Sequence, residues 1–65
     1  MSEFGKRLRQ AREAAGYSQD EVAERANCSR ITVTRVEGGI INPSEEIMGR
    51  LAKAVGSELW QLLKP

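Results

Sequence analysis

Ten cations and nine carboxylates carry most of the chemistry open to this 65-residue chain, and their spacing limits what that chemistry is. Lys6, Arg7, Arg9 and Arg12 crowd one short stretch, Arg30 and Arg35 lie in another, and Asp20, Glu21 and Glu24 sit between them. A guanidinium stays charged at any ordinary pH and offers a rigid fork of N–H donors to a carboxylate, a phosphate or a flat acceptor edge. The sequence has no histidine, a single cysteine (Cys28) and no glycine-rich phosphate loop. It therefore holds no constellation for binding a metal or cofactor, for nucleophilic attack or for general acid–base catalysis. Its chemistry is recognition by charge and hydrogen bond, and an enzyme is not expected. The net charge of +1 argues neither for nor against a nucleic-acid partner. The separation into two basic segments flanking an acidic one matters more than the sum.

These residues must be carried by one small domain spanning 1–65, which buries only ~60% of the surface its unfolded chain exposes. The apolar share of 40% and charged share of 29% are those of a globular domain. No run approaches the ~20 apolar residues that a membrane span requires, so no membrane partner is expected. Charge within Met1–Leu8 argues against a secretory leader. With one cysteine and no leader, a cytoplasmic setting is expected. The glycosylation sequon Asn27-Cys28-Ser29 is then accidental, and Cys28 reads as a small apolar filler.

The positioning elements read as five helices. Phe4, Leu8, Ala11 and Ala15 form the stripe of an amphipathic helix over 3–15, which Gly16 stops. Ser18 and Glu21 fit a capping box that opens a helix over 18–26. Asn27 tolerates the left-handed conformation, so a tight turn falls there, and Ser29 caps a helix over 29–38 with Val33 and Val36 inward. Asn42 as cap with Pro43 at the first helical position opens a helix over 43–55, bearing Ile47, Met48, Leu51, Ala54 and Val55. Gly49 inside it either marks close packing or weakens it by ~1 kcal/mol. A last helix over 58–63, capped by Ser57, carries Leu59, Trp60, Leu62 and Leu63.

Two short helices joined by a turn of about three residues have the spacing of a helix-turn-helix. The segments Leu8-Arg9-Gln10-Ala11-Arg12, Gly16-Tyr17-Ser18-Gln19, Val22-Ala23-Glu24, Val36-Glu37-Gly38-Gly39 and Asn42-Pro43 fall in one order along the chain. In that order and spacing the chain resembles the phage repressor and Cro-type helix-turn-helix family from Phe4 to Leu63. The resemblance implies an all-α, compact, lambda-repressor-like domain of five helices that binds double-stranded DNA. It also implies a partly buried ion pair between Arg12 and Glu37, so Glu37 is structural and not a catalytic acid. Ala23 is small enough to let the third helix cross closely.

In this motif the second helix of the pair enters the major groove and the first spans the backbone. With Val33 and Val36 turned to the core, Arg30, Ile31, Thr34 and Arg35 face the groove as base readers. Each arginine either forks onto guanine O6 and N7 or clamps a phosphate; Ile31 either meets a thymine methyl or covers the edge of the core. Ser18 and Gln19 at one helix start form an anion site, with the family's glutamine on a phosphate. Asn42 and Ser44 at another helix start either bind phosphate or merely cap. Ser29, Thr32 and Arg9 complete the backbone set, and Lys6 and Arg7 either add attraction or are solvated.

Two departures from the family pattern stand out. Ile40-Ile41 replaces the basic or polar residues expected after the third helix, and Glu45 places negative charge near the expected backbone. Fewer phosphate contacts imply weaker, less salt-sensitive binding. The leading reading is a homodimeric transcriptional regulator on a pseudo-palindrome, joined through Ile40, Ile41, Trp60 and Leu63. Ile40-Ile41 alternatively fold back as a lid, and Trp60 alternatively completes the core. The competing reading is a protein-interaction subunit, such as the antitoxin of a toxin–antitoxin pair, using the same apolar residues on a protein partner.

Overall fold

A computed structural model describes residues 3–63. Met1, Ser2, Lys64 and Pro65 lie outside the described residues, and with them both ends of the expected 1–65 domain and the start of the segment read as arguing against a leader. Within them the chain forms α1 (Glu3–Ala15), α2 (Gln19–Ala26), α3 (Arg30–Glu37), α4 (Glu45–Ala54) and α5 (Leu59–Leu63), and no strand. The all-α expectation holds, and four of the five helices start within one residue of the sequence reading. No helix among the described residues is long and apolar enough to cross a membrane.

Local rules set the helix ends. After α1, Gly16 takes φ 80° while Gly16 N donates to Glu13 O and Tyr17 N donates to Arg12 O, each at 3.1 Å. That is a Schellman closure, in which a left-handed residue lets two orphan carbonyls find donors. Asn27 repeats the closure after α2 with φ 57°, the one non-glycine residue in this conformation among those described. The left-handed backbone turns the chain sharply, and α3 starts within three residues.

At the start of α2 the capping box is complete: Glu21 N donates to Ser18 Oγ at 3.1 Å and Ser18 N donates to Glu21 Oε1 at 2.7 Å. Ser29 caps α3 through Thr32 N at 3.2 Å. The start of α4 corrects the sequence reading. Its cap is Ser44, accepting from Ile47 N at 3.2 Å, so the helix begins at Glu45, and Asn42 and Pro43 precede it. Both sites satisfy the capping preference locally; Ser44 wins with two carboxylates, Glu45 and Glu46, in the first turn to complement the macrodipole. At α5 it is the Gln61 side chain that accepts from Glu58 N, at 2.8 Å.

The core is built from Phe4 and Leu8 of α1, Val22, Ala23 and Ala26 of α2, Val33 and Val36 of α3, Leu51, Ala52 and Ala54 of α4, Val55 just after it, and Leu62 of α5. α3 packs on α2 and α1, α4 on α2, and α5 closes against α1 and α4. Ala15, the last of the expected α1 stripe, is exposed. Gly5 is buried where α1 crosses α3, and a Cβ there would overlap the Val36 carbonyl oxygen. Ile41 folds back onto the core while Ile40 stands exposed, so the two adjacent isoleucines part. Trp60 is exposed and does not complete the core.

Two arginines tie α2 to α4 reciprocally. Arg25 of α2 donates from Nε to Ala54 O at 3.0 Å, at the end of α4, and stacks over the Tyr17 ring at 4.6 Å. Arg50 of α4 donates to Ala26 O at 2.9 Å and Asn27 O at 2.6 Å, at the end of α2. Each guanidinium satisfies carbonyls that a helix end leaves open and sits at the negative pole of the other helix.

Candidate nucleic-acid interface

α3 has two faces. Val33 and Val36 are fully buried, which turns Arg30, Ile31, Thr34 and Arg35 outward along the opposite side. These four line one shallow concavity of about 320 Å³. Ile31 is 58% exposed, which removes the reading in which it covers the edge of the core. Arg30 is loosely held by Asp20 of α2, 3.7 Å away with both side chains mostly in water. Such a pair contributes little and yields readily to a phosphate or a base. The sequence thus brings its four expected base readers together on one surface.

Behind that surface runs a continuous chain of hydrogen bonds. Arg12 grips Glu37 with two bonds, Nε to Oε2 at 2.7 Å and Nη2 to Oε1 at 3.1 Å, and reaches Tyr17 O with Nη1 at 2.9 Å. The Glu37 side chain is 4% exposed and that of Arg12 13%. The hydrogen bond to Glu37 raises the Arg12 pKa further above its ordinary value, against the opposing pull of burial. Glu37 Oε1 also accepts from Gln19 Nε2 at 3.0 Å, and Gln19 Oε1 accepts from Thr34 Oγ1 at 2.9 Å. The Arg12–Glu37 pair therefore exists as expected, and it extends to Gln19 and to the exposed Thr34. That extension escapes sequence reasoning because it joins three helices.

The expected backbone contacts are more scattered. The Ser18 Oγ accepts inside the capping box, and one Gln19 N–H is committed to Glu37, leaving the other amide N–H and the serine hydroxyl proton as donors at the start of α2. Ser29 and Thr32 share a hydroxyl contact of 2.9 Å at the start of α3. Ser44 is the α4 cap and Asn42 precedes it, exposed. Arg9 lies on α1, paired with Glu13 at 3.2 Å in open solvent. Lys6 is exposed; Arg7 is half-buried and its Nη1 is a buried atom without a partner, so it is not a simply solvated cation.

Cys28, in the turn between α2 and α3, is half-buried against the core. Desolvation raises its thiol pKa, with Arg50 pulling weakly the other way, so the thiolate is suppressed at neutral pH. Among the described residues no group of histidine, cysteine or carboxylate side chains is placed to hold a metal.

A first helix braced across a tight turn to a second that presents its polar face to solvent is a helix-turn-helix, the architecture of a DNA-binding regulator. Comparison with known proteins agrees. Residues 3–59 match the family described as "Helix-turn-helix domain", and the chain belongs to that family. It is 37% identical over 51 residues to an uncharacterized HTH-type transcriptional regulator of Methanothermobacter thermautotrophicus, covering 78% of this chain and 74% of that protein. Its fold superposes on the restriction-modification controller protein C.AhdI of Aeromonas hydrophila with TM-score 0.88 and 38% identity, over 92% of this chain and 91% of that one. It superposes on the hypothetical transcription factor NHTF of Neisseria with TM-score 0.91 and 30% identity, over 97% and 72%. The chain is a DNA-binding transcriptional regulator of the phage-repressor and Cro type, a class that acts by binding and not by catalysis.

Proposed function

We propose that this chain acts as a homodimer on a pseudo-palindromic operator, as repressor or controller, with Arg30, Ile31, Thr34 and Arg35 of each copy against base edges. The observation that carries the reading is the gathering of these four side chains in one concavity on the outward face of α3. Arg30 and Arg35 fork onto guanine, and Ile31 meets a thymine methyl. Donors at the start of α2 (Ser18, Gln19) and α3 (Ser29, Thr32), together with Asn42, Ser44 and Arg9, hold the phosphate backbone. The setting that goes with this role is the cytoplasm, where such a regulator meets DNA.

Size supports two copies. The described residues span 26 × 21 × 19 Å, less than one helical turn of DNA at ~34 Å, so one copy reads one half-site. Pairing two copies multiplies affinity without new base contacts. Ile40, Trp60 and Leu63, at 72%, 63% and 48% exposure, are the apolar residues this proposal assigns to the joint; Ile41 leaves that set because it packs inward. Sedimentation should give a dimer at micromolar concentration that Trp60→Glu dissociates. A wild-type monomer would overturn the homodimer and turn the same residues toward a different protein partner, as in an antitoxin.

Selection of bound sequences from a random duplex pool tests the base-reading role. Wild type should enrich a pseudo-palindrome, and Arg35→Ala at the same ionic strength should relax one symmetric position by ~1–3 kcal/mol of discrimination. A folded wild type that enriches nothing would refute it.

A further inference from the structure

We infer that Gln19 is a positioning residue that fixes the hydrogen-bond polarity of Thr34, so that Thr34 selects an exocyclic amino group over a keto oxygen in the major groove. The inference rests on the reading of α3 as the base-contacting helix. It begins at Glu37, which as a carboxylate can only accept, and whose two oxygens are held by Arg12 at 2.7 and 3.1 Å. Gln19 faces that carboxylate at 3.0 Å and must therefore turn its amide nitrogen toward it. The amide oxygen then points the other way, and it lies 2.9 Å from the Thr34 hydroxyl. A free threonine hydroxyl both donates and accepts. Here its one proton is committed to Gln19, and only lone pairs remain for a base.

In the major groove adenine N6 and cytosine N4 donate, whereas guanine O6 and thymine O4 only accept. A hydroxyl left with lone pairs alone pairs with the first two and is repelled by the others. The chain of command thus runs from an ion pair in the interior, through one amide, to the outward face of the reading helix at mid-length. Gln19 is exposed enough to keep a further N–H for a phosphate, but its effect on specificity passes through Thr34.

The test is duplex selection with wild type, Thr34→Val, Gln19→Met and Gln19→Glu, each shown to be folded by far-ultraviolet circular dichroism. Wild type should prefer adenine or cytosine by about fivefold at one symmetric position, the worth of one net hydrogen bond. Thr34→Val, which keeps the shape and drops the hydroxyl, should abolish that preference and so identify the position. Gln19→Met should bring amino and keto bases at that position to parity while preferences elsewhere stand. Gln19→Glu still accepts from Thr34 and should keep the preference, even if the fold is weakened beside Glu37. If Gln19→Met instead weakens all sequences alike and leaves the preference intact, Gln19 only holds phosphate and the inference is overturned. Loss of the preference in folded Gln19→Glu, or no change at any position in Thr34→Val, would overturn it too. Absence of any enrichment by wild type removes the base-reading role itself, an outcome distinct from these.

Discussion

Replacing Glu37 by glutamine keeps the side chain's shape and removes its charge, which leaves the Arg12 guanidinium, 13% exposed, without a counter-ion. Breaking one partner of a buried pair costs ~3–5 kcal/mol because the surviving charge stays desolvated. A domain of 65 residues has ~3–10 kcal/mol of stability in total, so Glu37→Gln should remove a third of it at least and bring a weak domain close to unfolding. At 4–8 °C per kcal/mol for a domain of this size, the melting temperature should fall by roughly 12–40 °C. Replacing both partners, as Arg12→Met with Glu37→Met, removes the stranded charge and leaves only Gln19 Nε2 and Tyr17 O short of a partner. The double variant should then be distinctly more stable than the sum of the two single losses, by about 2 kcal/mol. Thermal and urea unfolding followed by circular dichroism completes the cycle. Single losses below about 1 kcal/mol that simply add would refute the account of a coupled, buried pair.

Three further outcomes follow from the packing. Gly49 sits in α4 with open space where a Cβ would go, so Gly49→Ala should raise stability by about 1 kcal/mol in urea unfolding. Gly5→Ala should do the reverse, since the added methyl meets the Val36 carbonyl; a loss of about 1–3 kcal/mol is expected, with α1 pushed off α3. Cys28 should react slowly with iodoacetamide at pH 7 and much faster once the chain is unfolded in urea. Because burial raises the pKa of this acid, the folded thiol should become reactive only at a higher pH than the unfolded one, and its small stabilising effect should fade as the pH rises through that value.

Much of the fold is written in short-range signals. Ser18 and Glu21 close their box within one helical turn, and Gly16, which lacks a Cβ, and Asn27, whose short amide tolerates the conformation, take left-handed backbones for local reasons. The outward set on α3 follows from Val33 and Val36 being inward, which spacing alone predicts. Where two local signals compete, as Asn42 and Ser44 do, the chain itself does not rank them, and the sequence reading started α4 two residues early. Gly5 left a legible trace that was missed. It lies on the helical face shared with Leu8 and Arg12, and a glycine on the inward face of a helix is a cost that close packing can offset, as it does here and does not at Gly49. The Gln19–Thr34 bond and the crossed anchoring of Arg25 and Arg50 have no such trace, because each depends on where one helix lands on another.

The two-faced construction of α3 bears on how a protein of this kind diversifies. The side chains that keep the helix in place and those that meet the partner are different residues, and most outward positions hold no internal bond stronger than the loose Arg30–Asp20 contact. Surface changes of that sort usually alter stability by less than about 0.5 kcal/mol, so under the proposed base-reading role a lineage can try new operators at Arg30, Ile31 and Arg35 while its scaffold is inherited intact. Thr34 is the exception. Wired to Glu37 through Gln19, it can drift only in company, and descendants that change it should change Gln19 as well.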